Sequence, residues 1–373
     1  MKKLYIFGIL WLIGICSFPV MAAEPVKIAA IIAKTGISAE ENAPYVLMIE
    51  LAVEELNSQG GLLGRPVELI IIDNKSTPIG ATLAAKEALQ LQVTAVIGAS
   101  WSSQALAMAP ILQQEGIPMI TPLATNPKIT RVGNCIFRVC FTDSIQGKAM
   151  ARFAYTELGA QTVIVLKILN EIYSLTLAKS FVNSFQQYGG KVLFEGGYTR
   201  KAVNFKDILK KAQNLNPDVV FVPGFSRDSG LLIKQAVSMG IRTTFLGGDG
   251  FVQIHDYGGN AVEGSYYSTF WHPDVPSKKK NHLQNIYKQK YKKESTTIDA
   301  PLVYDAVMVL ADAIRRADSL DRAKIREALA ETKEFEGVTG PITFDEQGDP
   351  LNKPVVIIKL EKKDQVYFKS IKP

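Results

Sequence analysis

Short apolar runs alternate with longer helical stretches along this chain, and the alternation occurs twice. Residues 26–33, 66–72, 93–97 and 118–120 read as strands, and residues 44–57, 78–91 and 103–115 as the helices between them. In the first helix Leu47, Leu51, Ala52 and Leu56 share one face, and Gly60 and Gly61 stop it. Strands this uniformly apolar are buried on both faces, as in parallel sheets covered by helices. The pattern restarts with strands at 162–166, 191–194, 219–222 and 244–246 and helices at 174–187, 205–214 and 228–239. A second α/β unit is therefore expected between about Asp143 and Phe270. The remainder is less regular. A helical run covers 295–316, and a second helix covers 321–330 with Asp321 in the N-cap position. Residues 337–344 are rich in turn formers, and 353–368 reads as two strands. An isolated hairpin is marginal, so this last one needs a sheet edge to join. The fold class expected is α/β, with two doubly wound parallel-sheet lobes.

Length agrees with two lobes, since 373 residues exceed what one core usually supports. Residues 1–23 read as an export signal: Lys2 and Lys3, an apolar run from Leu4 to Ile15, then small residues up to Ala23. That run is shorter than the roughly 20 residues a membrane span requires. Cys16 follows Ile15, where lipidation calls for a small residue. Removing the two lysines lowers the formal charge from +6 to +4. The remaining lysine clusters, 278–280 and 288–293, have no aromatic ladder beside them and read as solvated faces, so no nucleic-acid partner is expected. Cys135 and Cys140 lie in one strand-like run, where five extended steps separate them by roughly 16 Å. A disulfide needs Cα atoms within about 7 Å.

Catalytic and cofactor motifs are absent. The turn after the first strand, AKTGISAEEN (33–42), has one glycine where a dinucleotide loop needs three. No Gly-Lys-Ser/Thr occurs, and GASWSS (98–103) lacks the glycine that would follow a nucleophilic serine. His255, His272 and His282 have no partners at metal-ligand spacing. No catalytic residue, metal or cofactor is assigned, and an enzyme is the least favoured class.

Binding chemistry is concentrated in loops at strand ends. Ser100, Ser102 and Ser103 stand between the 93–97 strand and a helix, where spare N–H groups and hydroxyls suit a carboxylate. Thr121, Ala124 and Thr125 follow the next strand. In an open parallel sheet both loops reach the carboxyl edge, where such sheets bind ligands. The second unit offers the complement. Phe225 follows one strand, and Asp249 follows another among Gly247, Gly248 and Gly250, where little shields it from an ammonium group. Tyr173 is placed to lay a ring over a ligand.

At these loops the chain resembles periplasmic amino-acid-binding proteins of the leucine/isoleucine/valine type, which serve ATP-driven importers. The matching segments are LAVEELNSQGG (51–61), VIGASWSS (96–103), GIPMITPLAT (116–125), FRVCFTD (137–143) with Gln146 and Gly147, and TGPITFD (339–345) with Gly348. The resemblance implies a type I periplasmic binding protein fold whose chain crosses a hinge three times. Lobe one would be 24–142 plus 271–345, and lobe two 143–270 plus 346–373. It also implies roles. Ser102, with backbone near Leu123 and Ala124, holds the ligand carboxylate. Thr125 bonds the carboxylate or the ammonium, Asp249 takes the ammonium, and Tyr173 and Phe225 flank the ligand. Trp101 and Ser103 are further candidates. Phe225 replaces a frequent tyrosine, Trp101 replaces a smaller residue, and the 35–43 loop lacks the tyrosine relatives often carry. The implied protein is a periplasmic monomer without cofactor. It would pass an aliphatic or branched-chain amino acid to ABC transporter permease subunits. The alternative is a sensor of the same fold for an amide, a urea-like compound or another small metabolite.

Overall fold

The computed structural model describes residues 24–293 and 297–373, so the export signal expected at 1–23 lies outside the described residues. The chain builds two large sheets. The first consists of β1 (Val26–Ile32), β2 (Val67–Asp73), β3 (Ala95–Gly98), β4 (Met119–Thr121) and β5 (Ile136–Arg138), in the order β2-β1-β3-β4-β5 with every pairing parallel. Helices α1 (Ala39–Ser58), α2 (Pro78–Gln90) and α3 (Ser102–Gln114) connect its strands. In this order the chain reverses direction across the sheet at β1 and β3, which leaves a crevice at their carboxyl ends.

After α4 (Asp143–Arg152) comes the second sheet. Its strands β6 (Thr162–Ile168), β7 (Lys191–Tyr198), β8 (Val219–Val222), β9 (Thr244–Gly247) and β10 (Tyr266–Thr269) alternate with α5 (Ile172–Gln187), α6 (Lys206–Leu215), α7 (Ser226–Ser238) and the short α8 (His255–Gly258). The chain then forms α9 (Lys280–Tyr291), α10 (Ala300–Ala317), α11 (Arg322–Ala330) and a small ribbon, β11 (Phe335–Gly337) with β12 (Gly340–Ile342). These helices dock on α1: Tyr291 Oη donates to the Leu47 carbonyl at 2.9 Å, and Tyr304 Oη to Glu55 at 2.6 Å. The terminal hairpin, β13 (Val355–Glu361) and β14 (Asp364–Ile371), returns to the second sheet. There β13 pairs antiparallel with β10, giving the order β14-β13-β10-β9-β8-β6-β7. The open edge of β10 is the partner the hairpin required. Among the described residues no helix is long and apolar enough to cross a membrane.

Local departures from the sequence reading have local causes. The first helix starts at Ala39 rather than 44, because the Ser38 carbonyl accepts from both the N–H and the side-chain amide of Asn42 (3.0 and 2.9 Å). Pro44 then sits inside the helix, where it forfeits one backbone bond. Strand β7 runs to Tyr198 rather than 194. Gly196 and Gly197 look like a breaker, but β6 continues alongside to the Ile168↔Tyr198 pair. The helical run expected from 295 begins at Ala300, with Asp299 in the cap position and a proline in its first turn; residues 294–296 lie outside the described residues. Cys135 and Cys140 are buried free thiols, and burial pushes the Cys140 thiol up to about 12.

Arg138 on β5 pins the architecture together. It is fully buried. Its Nε donates to Asp349 at 2.6 Å, one Nη to the Ala124 carbonyl at 2.8 Å, and the other Nη to the Asn126 carbonyl at 2.8 Å and the Thr130 hydroxyl at 3.2 Å. One guanidinium thus joins the loop after β4 to the segment that leads toward β13. A second buried group acts nearby. Asp305 on α10 accepts the N–H groups of Val338 and Thr339 and the Thr339 hydroxyl, and buried Lys353 donates to Thr339 (2.6–2.9 Å throughout). Removing one partner of a buried ion pair costs about 3–5 kcal/mol, because the other charge is stranded. Asp349→Ala is therefore expected to lower unfolding free energy by about that amount in urea titration. A loss below about 1 kcal/mol would show that Arg138 is satisfied without it.

Candidate functional site

The carboxyl ends of both sheets' strands converge on one cleft with about 440 Å³ of space unfilled by protein atoms, its mouth included. From the first sheet come Glu41 and Tyr45 on α1, Ser100 to Ser102 after β3, and Leu123 and Thr125 after β4. The second sheet supplies Tyr173 after β6, Phe225 after β8, and Asp249, Gly250 and Val252 after β9. Asp299, at the head of α10, completes the wall.

On the first wall, Ser102 is the first residue of α3, and its hydroxyl oxygen accepts the Asn126 N–H at 3.1 Å. Its own proton is therefore free to donate into the cleft. The α3 terminus adds spare N–H groups and a partial positive charge. Thr125 stands beside Asp143. Burial raises the Asp143 carboxyl well above the usual carboxylate range, with the Thr125 hydroxyl pulling it back.

Asp249 faces this wall. Its Oδ1 accepts from Gln146 Nε2 at 2.7 Å and Tyr173 Oη at 2.9 Å, and the Tyr173 oxygen in turn accepts the Gly250 N–H at 3.2 Å. The neighbouring glycines are needed for close approach. A Cβ on Gly248 would stand 2.5 Å from Tyr173 Oη, and one on Gly250 would stand 2.3 Å from the Gly224 carbonyl oxygen. Trp101, Phe225 and Tyr173 form an aromatic row, with ring centroids 4.6 Å and 5.1 Å apart. Arg200, just past β7, lies 3.8 Å over the Trp101 ring and 4.1 Å over Phe225, a cation–π clamp between the two walls.

Of the residues singled out from sequence, Trp101, Ser102, Leu123, Thr125, Tyr173, Phe225 and Asp249 line one cavity. Ala124 and Ser103 do not. The Ala124 N–H bonds to Thr121 Oγ1 and its carbonyl to Arg138, so both its polar groups turn away. Ser103 interacts instead with Glu171. Ser100, also read from the sequence, lines the cavity too, whereas sequence reading missed Glu41, Tyr45, Gly250, Val252 and Asp299. Glu41 was assigned to a loop because Pro44 marked an apparent helix start. Asp299 carried a legible signal, an Asp just before Ala-Pro, where a helix cap belongs. It makes no side-chain cap bond, and its Oδ2 accepts from Tyr45 Oη instead.

The cleft is rich in desolvated carboxyls. Burial pushes Asp249 up to about 6, offset by the Gln146 and Tyr173 hydrogen bonds, and Asp299 up to about 6, offset by Tyr45. Burial pushes Glu41 up to about 8, with Arg200 pulling it back. Each group holds its proton more tightly folded than unfolded. Stability from this source is complete below the unfolded value near 4 and is lost as pH rises through the folded value. Melting temperatures of the ligand-free protein should thus fall between about pH 4 and pH 8, and Asp249→Asn should shrink the part of that fall centred near about pH 4–6. An unchanged slope in the variant would mean that Asp249 is not the buried acid described.

A model of the periplasmic binding protein family matches residues 25–365 of the chain. A leucine-, isoleucine-, valine-, threonine- and alanine-binding protein of Pseudomonas aeruginosa is 30% identical over 360 residues, covering 96% of this chain and 95% of the relative. Among solved structures, the leucine-binding protein LivK of Thermotoga maritima superposes with a TM-score of 0.88 at 36% identity, covering 93% of this chain and 99% of that one. The branched-chain amino acid transporter substrate-binding protein LivJ of Streptococcus pneumoniae, solved with isoleucine, also superposes with a TM-score of 0.88. It is 27% identical, and the match covers 94% of this chain and 100% of that one.

Proposed function

The chain belongs to the periplasmic binding protein family, and from that premise we propose that it is the solute-binding component of an ABC importer, taking an amino acid into its cleft. One observation carries the reading. Hydroxyls and a helix N-terminus stand on one wall, and a carboxylate anchored by Gln146 and Tyr173 stands on the other. A zwitterion presents the two complementary charges. Its carboxylate meets Ser102, Thr125 and the head of α3, and its ammonium meets Asp249. The names of the relatives make leucine, isoleucine and valine the first ligands to test.

The mechanism is capture without bond-making. The division we assign places 24–142 and 271–345 in one lobe and 143–270 and 346–373 in the other, with three crossings as the hinge. In the open state each lobe offers half a site. Ligand bridging the halves favours closure, which expels water and strengthens the charge contacts. Closed lobes then present the surface a membrane permease reads. Export to the periplasm follows from the signal pattern at 1–23 and accords with the family's description.

Asp249→Ala should weaken amino-acid binding about 100-fold or more, since a desolvated ammonium would lose its counter-charge at a cost of about 3–5 kcal/mol. Ser102→Ala should cost roughly 1–3 kcal/mol. Isothermal titration of folded variants measures both. Unchanged affinity in the Asp249 variant would end the proposed ammonium role. Mass spectrometry of small molecules released from purified protein on denaturation would identify the bound class directly.

A further inference from the structure

Asp249 suffices for the ammonium of a zwitterion, yet two more carboxyl groups line the same cleft. Glu41 is 9% exposed and Asp299 is 4% exposed. Both stand on the α1 and α10 side, whereas Asp249 belongs to the loop after β9. No lysine, arginine or histidine is among the lining residues. Arg200, the cation that acts on Glu41, lies outside the lining and is shared with other acids. It stacks on Trp101 and lies 3.5 Å from a Glu171 oxygen and 3.9 Å from an Asp228 oxygen. Tyr45 supplies Asp299 with one hydrogen bond, and a neutral phenol leaves its charge unbalanced.

An aliphatic side chain pressed against these two acids would remove their remaining water and give nothing back. Buried polar groups left unpaired are penalised, and a site built to bond a donor rejects the isostere lacking it far more sharply than an apolar pocket rejects an extra group. Resting on the amino-acid reading above, we infer that the side-chain end of the cleft selects ligands bearing an N–H or O–H donor, which Glu41 and the Asp299–Tyr45 pair accept. Polar amino acids with amide, hydroxyl or amino side chains are the class this geometry favours. Trp101 and Phe225 pack the intervening methylene groups.

Isosteric pairs isolate the effect from size. Threonine replaces one methyl of valine with a hydroxyl, and asparagine replaces the two methyls of leucine with an amide. Titration calorimetry with these four amino acids on the full chain should give threonine over valine and asparagine over leucine by at least about tenfold each. Glu41→Met and Asp299→Leu, made in protein shown to fold by circular dichroism, should bring both ratios to unity or reverse them. If Asp299→Leu fails to fold, Glu41→Met alone decides. Valine and leucine binding as tightly as their polar partners, or ratios unmoved by the Glu41 substitution, would overturn the inference and leave the amino-acid reading intact. If none of the four binds and a wider amino-acid panel is also silent, the amino-acid reading falls and this inference falls with it.

Discussion

The binding cleft depends on a positive charge that never touches it. Arg138 sits at the end of β5 with no access to water, and its guanidinium is satisfied by two backbone carbonyls, one hydroxyl and one carboxylate. Two of those partners, Ala124 and Asn126, flank Thr125 in the loop that forms one wall. The carboxylate, Asp349, lies on the segment that carries the chain toward β13. A planar fork suits this arrangement because its donors point in fixed directions. The site loop and a connection between the sheets are thereby fixed by one group, and neither is free to shift without stranding the charge.

From that frame the electrostatics of the cleft follow. Parallel strands deliver their following loops to one edge, so both sheets contribute residues to the same space. The first sheet contributes donors: the Ser102 hydroxyl, spared by the Asn126 N–H that bonds its oxygen, and the start of α3. The second contributes an acceptor, Asp249, oriented by Gln146 and Tyr173 and reached only because Gly248 and Gly250 carry no side chain. Arg200 bridges the walls from the rim, stacked on an aromatic ring from each. Burial of several carboxyls together is electrostatically costly, and a group offering donors to them would relieve that cost.

Much of this was legible from the chain. The two rounds of apolar strand and helix fixed the class of fold, and the loops after strands identified Ser102, Thr125, Tyr173, Phe225 and Asp249, which now line one cavity. Glu41 escaped because Pro44 resembled a helix start, while the structure begins α1 a turn earlier through the Ser38 carbonyl. Asp299 escaped because the sequence places it inside a helical run that starts at 295, and only Tyr45, more than 250 residues away along the chain, reveals the use of its carboxylate. Ala124 was read as a site residue from its neighbours, but its backbone groups serve Thr121 and Arg138.

The sequence by itself determined the elements and the donor and acceptor loops, because strand burial and turn chemistry are local patterns that a single chain displays. Tertiary structure decided which of those loops share a cavity and which carboxyls lose their water there. Those properties arise between segments far apart in the chain, where pairing of β13 with β10, docking of α10 on α1 and the reach of Arg138 set the distances. Charge in a cleft is a property of that enclosure, and no run of residues carries it alone.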